Sequence, residues 1–428
     1  MPRRAGHRPF RAFEGAGFIL PVTALGRAAQ NAGQTTYPLI GHDLLAVSNH
    51  LIGVIVAFAG AAGILASATI GARATASNAY RTLAAGQSLL VVAFVALAVP
   101  GAGVVGLWAS AVLLGGAGGL IFPATMTLVG SRASVPSRAL ALYTVALSLG
   151  LAGGPFIEAA CLHLTGQSLH ETVAALIPLP VVSLLLALRA ERGDRLARQL
   201  VTAQVVVPTA TSDAPARGTR SVPPKDRAKG RRPLLALPSY RLALAIMLSY
   251  EAPFVALMGF GGLLGRHSYG VSSSGVEIAF TSFFAASLAV RGALVRYSPL
   301  PTLGVPLVAS VALTAGGLAL LGLGHGFAAL LIAMAMLGMP HGLTYPLAGA
   351  HLAESLSDDL GRANGGLNAS IGAVAVVVPL ACGWLSEAIG LRGTFLALEV
   401  VIALFGSALL VQLGRMGGFK WRAHTPAP

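Results

Sequence analysis

Charged residues and cysteine are both scarce in this chain. Only 10% of its 428 residues are Asp, Glu, Lys or Arg, whereas a soluble domain carries about a quarter, so an ordinary soluble protein is excluded. The two cysteines, Cys161 and Cys382, both fall in apolar stretches, and neither a disulfide framework nor a metal cluster is expected from them. The chain has instead 55% apolar residues and 53 glycines, which are typical of closely packed transmembrane helices.

Signals for catalysis and for nucleotide-driven pumping are also missing from the sequence. The glycine-rich run 115–119 lacks the Lys-Ser/Thr pair that completes a phosphate-binding loop. Asp43 and His50 lie near one end of the apolar spans, and their spacing does not suggest further metal ligands. We therefore expect no enzyme, no cofactor and no metal site.

The hydropathy pattern predicts twelve membrane-spanning helices with both termini in the cytoplasm. Apart from Arg266 and Arg392, the basic residues between the spans and at their ends, Arg291 among them, fall on the side of the termini. This asymmetry is the positive-inside rule and predicts a cytoplasmic (inner) membrane protein. The net charge of +14 is therefore a topology signal and does not indicate nucleic-acid binding. The rough bounds of the spans are 16–40, 46–69, 82–100, 104–129, 137–160, 170–189, 241–263, 273–294, 301–323, 326–350, 364–385 and 392–414.

Two similar halves are predicted, joined by a polar linker. Residues 190–238 are rich in Arg, Pro, Ser and Thr and lack apolar periodicity, so they predict a tether with a short amphipathic start. The flanking bundles are 1–189 and 239–428. The stretch 119–123 resembles 342–346, Gly53-Val54 resembles Gly275-Val276, and Arg138-Ala139 resembles Arg362-Ala363, at offsets of 222 to 224 residues. Parallel halves of six spans, with a substrate path between them, are the transporter architecture that this pattern predicts.

The most specific motif is the glycine-rich run 150–155 in the fifth span. Gly150 and Gly154 form a smooth face for another helix, and Pro155 removes a backbone donor and kinks the span. The chain resembles the major facilitator superfamily over essentially its full length, and this run is similar to the core of its antiporter motif. The resemblance implies an all-α membrane fold with twelve transmembrane helices in two pseudo-symmetric bundles, and exchange of substrate for protons. Pro123 and Pro346, in matching spans, are further candidate bending positions.

Two other motifs of that family differ here. Thr75 stands where the loop between spans two and three carries a gating aspartate. Val112 and Ala111 stand where span four carries an arginine that often takes part in proton transfer. These two departures favour a carrier without proton coupling, whereas the antiporter motif favours proton exchange.

A polar stripe in the first span is the leading candidate for substrate binding. Arg27 lies mid-span together with Gln30, Asn31 and Gln34, and Tyr37 follows. Helical periodicity places positions 27, 31 and 34 on one face. Because a guanidinium in hydrocarbon costs at least several kcal/mol, Arg27 must face a counter-charge, a water-filled cavity or a ligand. The alternative is an anchor that snorkels to the membrane surface, which is commoner near the end of a span.

Carboxyl groups within the spans are candidates for proton coupling. Glu251 lies mid-span at nearly the depth of Arg27 under the repeat offset, and the two residues are predicted to pair across the halves. The pair either opens during transport or is a static lock. Glu158 and Glu277 either share one proton or act separately, with Glu277 reaching interfacial water and Glu158 bonding a hydroxyl. Separate action is the commoner arrangement.

Spans ten and eleven supply further candidate substrate contacts. His341 lies between prolines and glycines that weaken the tenth span, with Tyr345 four residues on, and Asn368 belongs to a polar stripe in the eleventh. His341 either carries protons or is simply hydrogen-bonded within the bundle. We interpret His341, Tyr345 and Asn368 as facing the substrate.

The function predicted from the sequence is proton-coupled export of a small organic molecule by a secondary active transporter. Its partners are the substrate, protons and the lipid bilayer, and a single bundle of this size forms the path as a monomer. Two alternatives stay open. One is an uptake carrier or uniporter for an anionic or polar metabolite that Arg27 binds directly. The other is a scaffold or receptor that has lost transport.

Overall fold

The computed structural model describes residues 18–132, 136–205, 233–297, 302–356 and 360–415. Within these ranges the chain is helical and the loops are short. The helical start of the predicted linker extends the sixth span to Val205, and residues 206–232 of that linker lie outside the described residues.

Within the described residues, twelve helices follow one another along the chain. The sixth is broken after Leu176, and the last two form one continuous helix except at Gly390, whose positive φ of 74° requires glycine. The helices are α1 Ile19–Leu39, α2 Asn49–Thr69, α3 Ala79–Ala98, α4 Gly103–Arg132, α5 Pro136–Leu164, α6 Leu169–Leu176 with Pro178–Val205, α7 Pro238–Leu263, α8 Ser273–Tyr297, α9 Gly304–Leu323, α10 Gly326–Ser355, α11 360–389 and α12 391–415.

Most of these helices can cross a membrane by length and composition. Ten described stretches qualify, and the last of them contains both α11 and α12. Helix α1 is not among the ten, because its polar stripe lowers its hydropathy. It lies inside the bundle, where it packs against α4, α5, α6 and α7. A polar transmembrane helix is tolerated in such a place because other helices shield it from lipid.

The two halves repeat each other most clearly where α1 and α7 end. Each helix continues into one π-helical turn, Ile40–Leu44 and Leu264–Ser268, and the two turns are 224 residues apart. The next helices begin with a serine hydroxyl that accepts a backbone N–H, from Leu51 to Ser48 and from Gly275 to Ser272. The same offset of 224 relates the two serines that accept and the two residues, Leu51 and Gly275, that donate. We call this end of the bundle, which the positive-inside rule assigns to the outside, the predicted outer end.

This register corrects one of the repeat landmarks. The predicted match of Gly53 with Gly275 has an offset of 222, whereas the serine caps fix 224 at this point. Gly53 is therefore equivalent to Glu277. Gly53 packs against the backbone oxygen of Pro379 in α11, with which a side chain at this position would collide. Contacts of α2 with α11 and of α5 with α8 join the halves.

The glycines of the predicted antiporter motif pack against α1. A side chain at Gly150 would collide with the carbonyl of Ala24, and one at Gly154 with the carbonyl of Ala28. Pro155 lies inside α5, as Pro123 lies inside α4 and Pro346 inside α10. The smooth face predicted for α5 thus has α1 as its partner. The bending roles of the three prolines remain predictions.

Candidate functional site

A cavity of about 400 Å³ lies between the two halves. Its walls come from α1, α2, α4, α5, α7 and α11. The predicted residues Arg27, Asn31, Gln34 and Tyr37 all line it, together with Gln30. The sequence stripe therefore faces a cavity, which is one of the three environments that the cost of a buried guanidinium allows.

Equivalent positions of the two repeats form two walls of this cavity. Helix α7 contributes four lining residues, and each is 224 positions after a lining residue of α1. The α1 wall is polar at these four positions, whereas the α7 wall is apolar at three of them and carboxylic at the fourth. The pairs are Arg27 with Glu251, Gln30 with Phe254, Asn31 with Val255, and Gln34 with Met258.

The polar wall is only partly satisfied by the protein itself. Arg27 donates from Nη1 to Oε1 of Gln30 at 2.7 Å, and its buried Nε has no hydrogen-bond partner among the described residues. Asn31 donates from Nδ2 to the backbone oxygen of Leu151 at 2.7 Å, while its Oδ1 is buried without a partner there. Buried polar groups are normally paired, so one free donor and one free acceptor at a cavity wall point to a ligand or water.

The predicted ion pair between Arg27 and Glu251 is not formed in this conformation. Both residues line the cavity, and the ion pairs of the described residues include neither of them. Arg27 bonds Gln30 of its own helix instead. Opening and closing of this pair therefore stays a prediction about another conformation.

A second arginine near the cavity escaped the sequence analysis. Arg291 was expected in a segment at the cytoplasmic side, but it lies inside α8, largely enclosed by protein. Its Nη1 donates to Oγ of Ser148 in α5 at 3.0 Å, and its Nη2 to the backbone oxygen of His341 at 3.5 Å. Its Nε is buried without a partner among the described residues, and its charge acts on that of Arg27. The seam between the halves thus holds two cations.

The three candidates from α10 and α11 do not line the cavity. His341 stacks on Phe254 with 4.4 Å between ring centroids, and it is surrounded by Tyr250 and other aromatic rings. It therefore lies behind the apolar wall. Tyr345 is 47% exposed and Asn368 is exposed, and neither is among the lining residues. Direct substrate contact by these three stays a prediction.

Glu158 and Glu277 meet in the interior between α5 and α8. Both are fully buried, so the expectation that Glu277 reaches interfacial water is wrong. Thr36 of α1 donates to Glu158, as the separate-action alternative expected. Thr35 lies 3.3 Å from Oε2 of Glu158 and 3.1 Å from Oε2 of Glu277. Both carboxyl groups thus contact the hydroxyl of Thr35, and a proton shared between them stays a prediction.

Polar contacts close the seam at the predicted outer end. Asp43 Oδ1 lies 2.8 Å from Nε2 of His267 and 3.1 Å from Nδ1 of His42, and Arg266 Nε lies 3.4 Å from the other carboxylate oxygen. Partial burial raises the pKa of Asp43, but hydrogen bonds from His267 and His42 and the charge of Arg266 outweigh burial and leave the pKa below its ordinary value. Asp43 is therefore an ionised carboxylate at neutral pH.

Two further polar contacts join the halves at the same end. Gln167 donates from Nε2 to Ser274 Oγ at 3.0 Å and accepts the Ser274 backbone N–H at 3.0 Å. The backbone N–H of His50 bonds Glu387 Oε1 at 2.9 Å. The two halves are thus held together on this side of the cavity.

No family model matches the chain, and no curated protein matches it by sequence. Solved structures match over nearly the whole length. One is a peptide transporter of the POT type in complex with sulfate, at a TM-score of 0.67 and 12% identity, covering 94% of both chains. Another is a bacterial homologue of the human lysosomal transporter Spinster, inward-facing and unoccupied, at 0.65 and 14%, covering 99% of this chain and 100% of that one.

A third similar structure is the nucleoside transporter NupG, at a TM-score of 0.61 and 14% identity, covering 92% of this chain and 100% of that one. Identities this low establish the fold alone. The chain accordingly shares the all-α fold of these transporters, with its helices in two pseudo-symmetric six-helix bundles. This confirms the fold class predicted from the sequence.

Proposed function

We propose that the protein is a secondary active transporter that exports a small organic molecule in exchange for protons. The observation that carries the proposal is the cavity between two repeated halves, lined by a half-buried arginine whose Nε has no partner among the described residues. The halves, residues 1–189 and 239–428, rock about this cavity by alternating access. The protein acts as a monomer in the cytoplasmic membrane, with both termini in the cytoplasm.

The two walls suggest what the substrate looks like. Arg27, Asn31 and Gln34 offer donors and acceptors to a polar or ionised group. Phe254, Val255 and Met258 offer an apolar surface on the other wall. A cavity of this volume holds a molecule that has one polar end and one apolar body.

Proton coupling is assigned to the buried carboxyl groups. The pair of Glu158 and Glu277 connects α5 of one half with α8 of the other, and rocking changes the distance between these helices. When the helices move apart, the two carboxylates no longer repel each other, so the shared proton is bound less tightly and is released. Glu251 on the apolar wall is a second proton site, exposed to the substrate cavity.

A second candidate is an uptake carrier or uniporter for an organic anion. It is favoured by the two arginines at the seam, Arg27 and Arg291, whose Nε atoms are both unpartnered among the described residues. A carboxylate or phosphate would receive charge-assisted hydrogen bonds from such groups. Thr75, at the position of the family's gating aspartate, favours the same candidate.

Reconstitution with an imposed pH gradient separates these functions. The purified protein is placed in vesicles containing a pH-sensitive dye, and candidate solutes with and without an anionic group are added. Substrate-dependent proton movement supports exchange, and flux that ignores the gradient supports the uniporter. A protein without flux for any solute class, although it binds solute in the cavity, contradicts transport and supports the scaffold. Glu251→Gln is the companion variant: unchanged pH-dependent flux in it removes Glu251 from proton coupling.

A further inference from the structure

Three metal-ligating side chains meet where the two π-helical turns face each other. His42 and Asp43 belong to the turn after α1, and His267 belongs to the turn after α7. One donor atom from each side chain lies within 4.8 Å of the other two. The imidazole rings are 4.3 Å apart at their centroids, and the Asp43 oxygen contacts both of them. Sequence spacing hid this cluster, since 224 residues separate Asp43 from His267.

The geometry of the cluster fits a small transition-metal ion. Tetrahedral zinc with bonds of about 2.0–2.2 Å places neighbouring donor atoms roughly 3.4 Å apart. The donor atoms here lie 2.8 and 3.1 Å apart along the two His–Asp contacts, which an ion would widen by a few tenths of an ångström, and the three donor atoms all lie within 4.8 Å of one another. The side chains of His42 and His267 are 31% and 40% exposed, which leaves a way in for the ion and a fourth position for water.

We propose that His42, Asp43 and His267 form a Zn²⁺ site that joins the two halves at the predicted outer end. Two imidazoles and one carboxylate are a donor set typical of zinc sites that keep an open position. The ligands come from both halves, so the bound ion holds this end closed. Zinc then inhibits whatever movement opens it. The site does not depend on the transport proposed above, because binding and closure are measurable without a substrate.

Arg266 sets the affinity of this site. Its Nε lies 3.4 Å from Oδ2 of Asp43, and its Nη1 donates to the backbone oxygen of Val271 at 3.0 Å. A fixed positive charge on the ligating carboxylate opposes a divalent cation and competes for its lone pairs. The site is therefore a weaker, regulatory one rather than a permanently filled structural one.

Zinc titration of the full-length protein in nanodiscs tests the site. ZnCl₂ is titrated in competition with a chromophoric chelator, and the apparent Tm is followed in parallel. We expect one Zn²⁺ per protein and a rise in Tm. His42→Ala and His267→Ala should each weaken binding by at least about tenfold and remove the rise, because even the loss of a group that only orients a ligand costs about 10–100-fold in affinity. Arg266→Gln should tighten binding.

His325→Ala is the matched control, because His325 is an exposed histidine at the same end whose ring contacts Arg392 and not the cluster. It should bind zinc as the parent does. His267→Gln keeps the approximate volume and polarity of the side chain, so it removes the ligand with less risk of misfolding. Without zinc, each variant must show the same Tm as the parent. The proposal is overturned if the His42 and His267 variants bind zinc like the parent, or if His325→Ala weakens binding as much as they do.

Discussion

The α1 and α7 walls of the cavity occupy equivalent places in the two repeats but differ in chemistry. Both helices end in the same π-helical turn, so duplication kept the backbone. Four facing positions are Arg, Gln, Asn and Gln on α1, and Glu, Phe, Val and Met on α7. A symmetric cavity would present the same groups to both ends of a substrate. Because the two walls differ, the site can hold an asymmetric molecule in one orientation, with its polar end toward α1 and its apolar part toward α7.

The largest effect is expected when the polar wall loses its charge. Arg27→Gln leaves a side chain that still fits the stripe but removes the cation and its free Nε. Truncating one partner of a buried charged pair costs about 2–5 kcal/mol, so substrate affinity should fall by roughly 30-fold to several thousandfold. The measurement is substrate-dependent flux in vesicles with a titration of solute.

Arg81→Gln is the control for this prediction, since Arg81 pairs with Glu191 on an exposed surface of the same half. It should transport like the parent. If Arg27→Gln also keeps the parent's affinity, the polar wall does not bind the substrate, and the comparison of the two walls loses its functional meaning.

The second prediction concerns the carboxyl pair that joins the repeats. Glu277→Gln keeps the hydrogen bond to Thr35 but leaves no second acid to share a proton with Glu158. Transport should lose most of its dependence on the pH gradient, while the apparent Tm at neutral pH stays equal or rises because the like-charge conflict disappears. Glu158→Gln should behave in the same way.

Glu171→Gln serves as the reference, because Glu171 is an exposed residue at the start of α6. Its flux should follow the gradient as in the parent. Gradient-driven flux that persists in both Glu158→Gln and Glu277→Gln would place the coupling proton elsewhere, with Glu251 as the next residue to test.

Sequence reasoning reached the polar wall because its signal is local. Arg27, Asn31 and Gln34 lie within eight residues, and the cost of a buried guanidinium limits what they can face. The partner of Gly150 and Gly154 was foreseen only as another helix, and the structure identifies it as α1. Eleven of the twelve helices are apolar enough to be found from hydropathy, which depends on composition and not on packing, and the polar stripe of α1 makes it the exception.

What the sequence did not reveal depends on contacts between distant segments. Arg291 was counted as a loop cation, because charge asymmetry does not distinguish a loop from the last turns of a helix. Thr35 and Thr36 follow Gln34 directly, yet their role appears only when Glu158 and Glu277 are brought beside them. The clearest repeat signal was also overlooked: Gly41, Val47 and Ser48 recur at an offset of 224 as Gly265, Val271 and Ser272.

The third prediction concerns a position at which the two repeats pack differently. Gly154 lies against the carbonyl of Ala28, whereas the equivalent position 224 residues later is Val378. Gly154→Ala should destabilise the α1–α5 contact by about 1–3 kcal/mol, because the extra methyl meets backbone. Gly153→Ala is the matched control in the same helix: a Cβ there meets nothing within 4 Å, and it should gain up to about 1 kcal/mol from helix propensity. Equal Tm values for the two variants in thermal unfolding would contradict close packing at Gly154.

The smallest effect is expected at the predicted outer end. There a carboxylate of one repeat pairs with basic side chains of the other, and water weakens these partly exposed pairs. Asp43→Asn removes the charge that His42, Arg266 and His267 share. Exposed ion pairs contribute about 0.2–1 kcal/mol, so the population closed at this end should fall by at most about fivefold. The measurement is labelling of a cysteine introduced at Val56, a cavity residue of α2, by a reagent added from that side with a chelator present. Faster labelling than in the Glu171→Gln reference is expected, since the cavity is then reached more often from this end. Unchanged labelling would mean that the contacts of Gln167 with Ser274 and of His50 with Glu387 hold the end closed without Asp43.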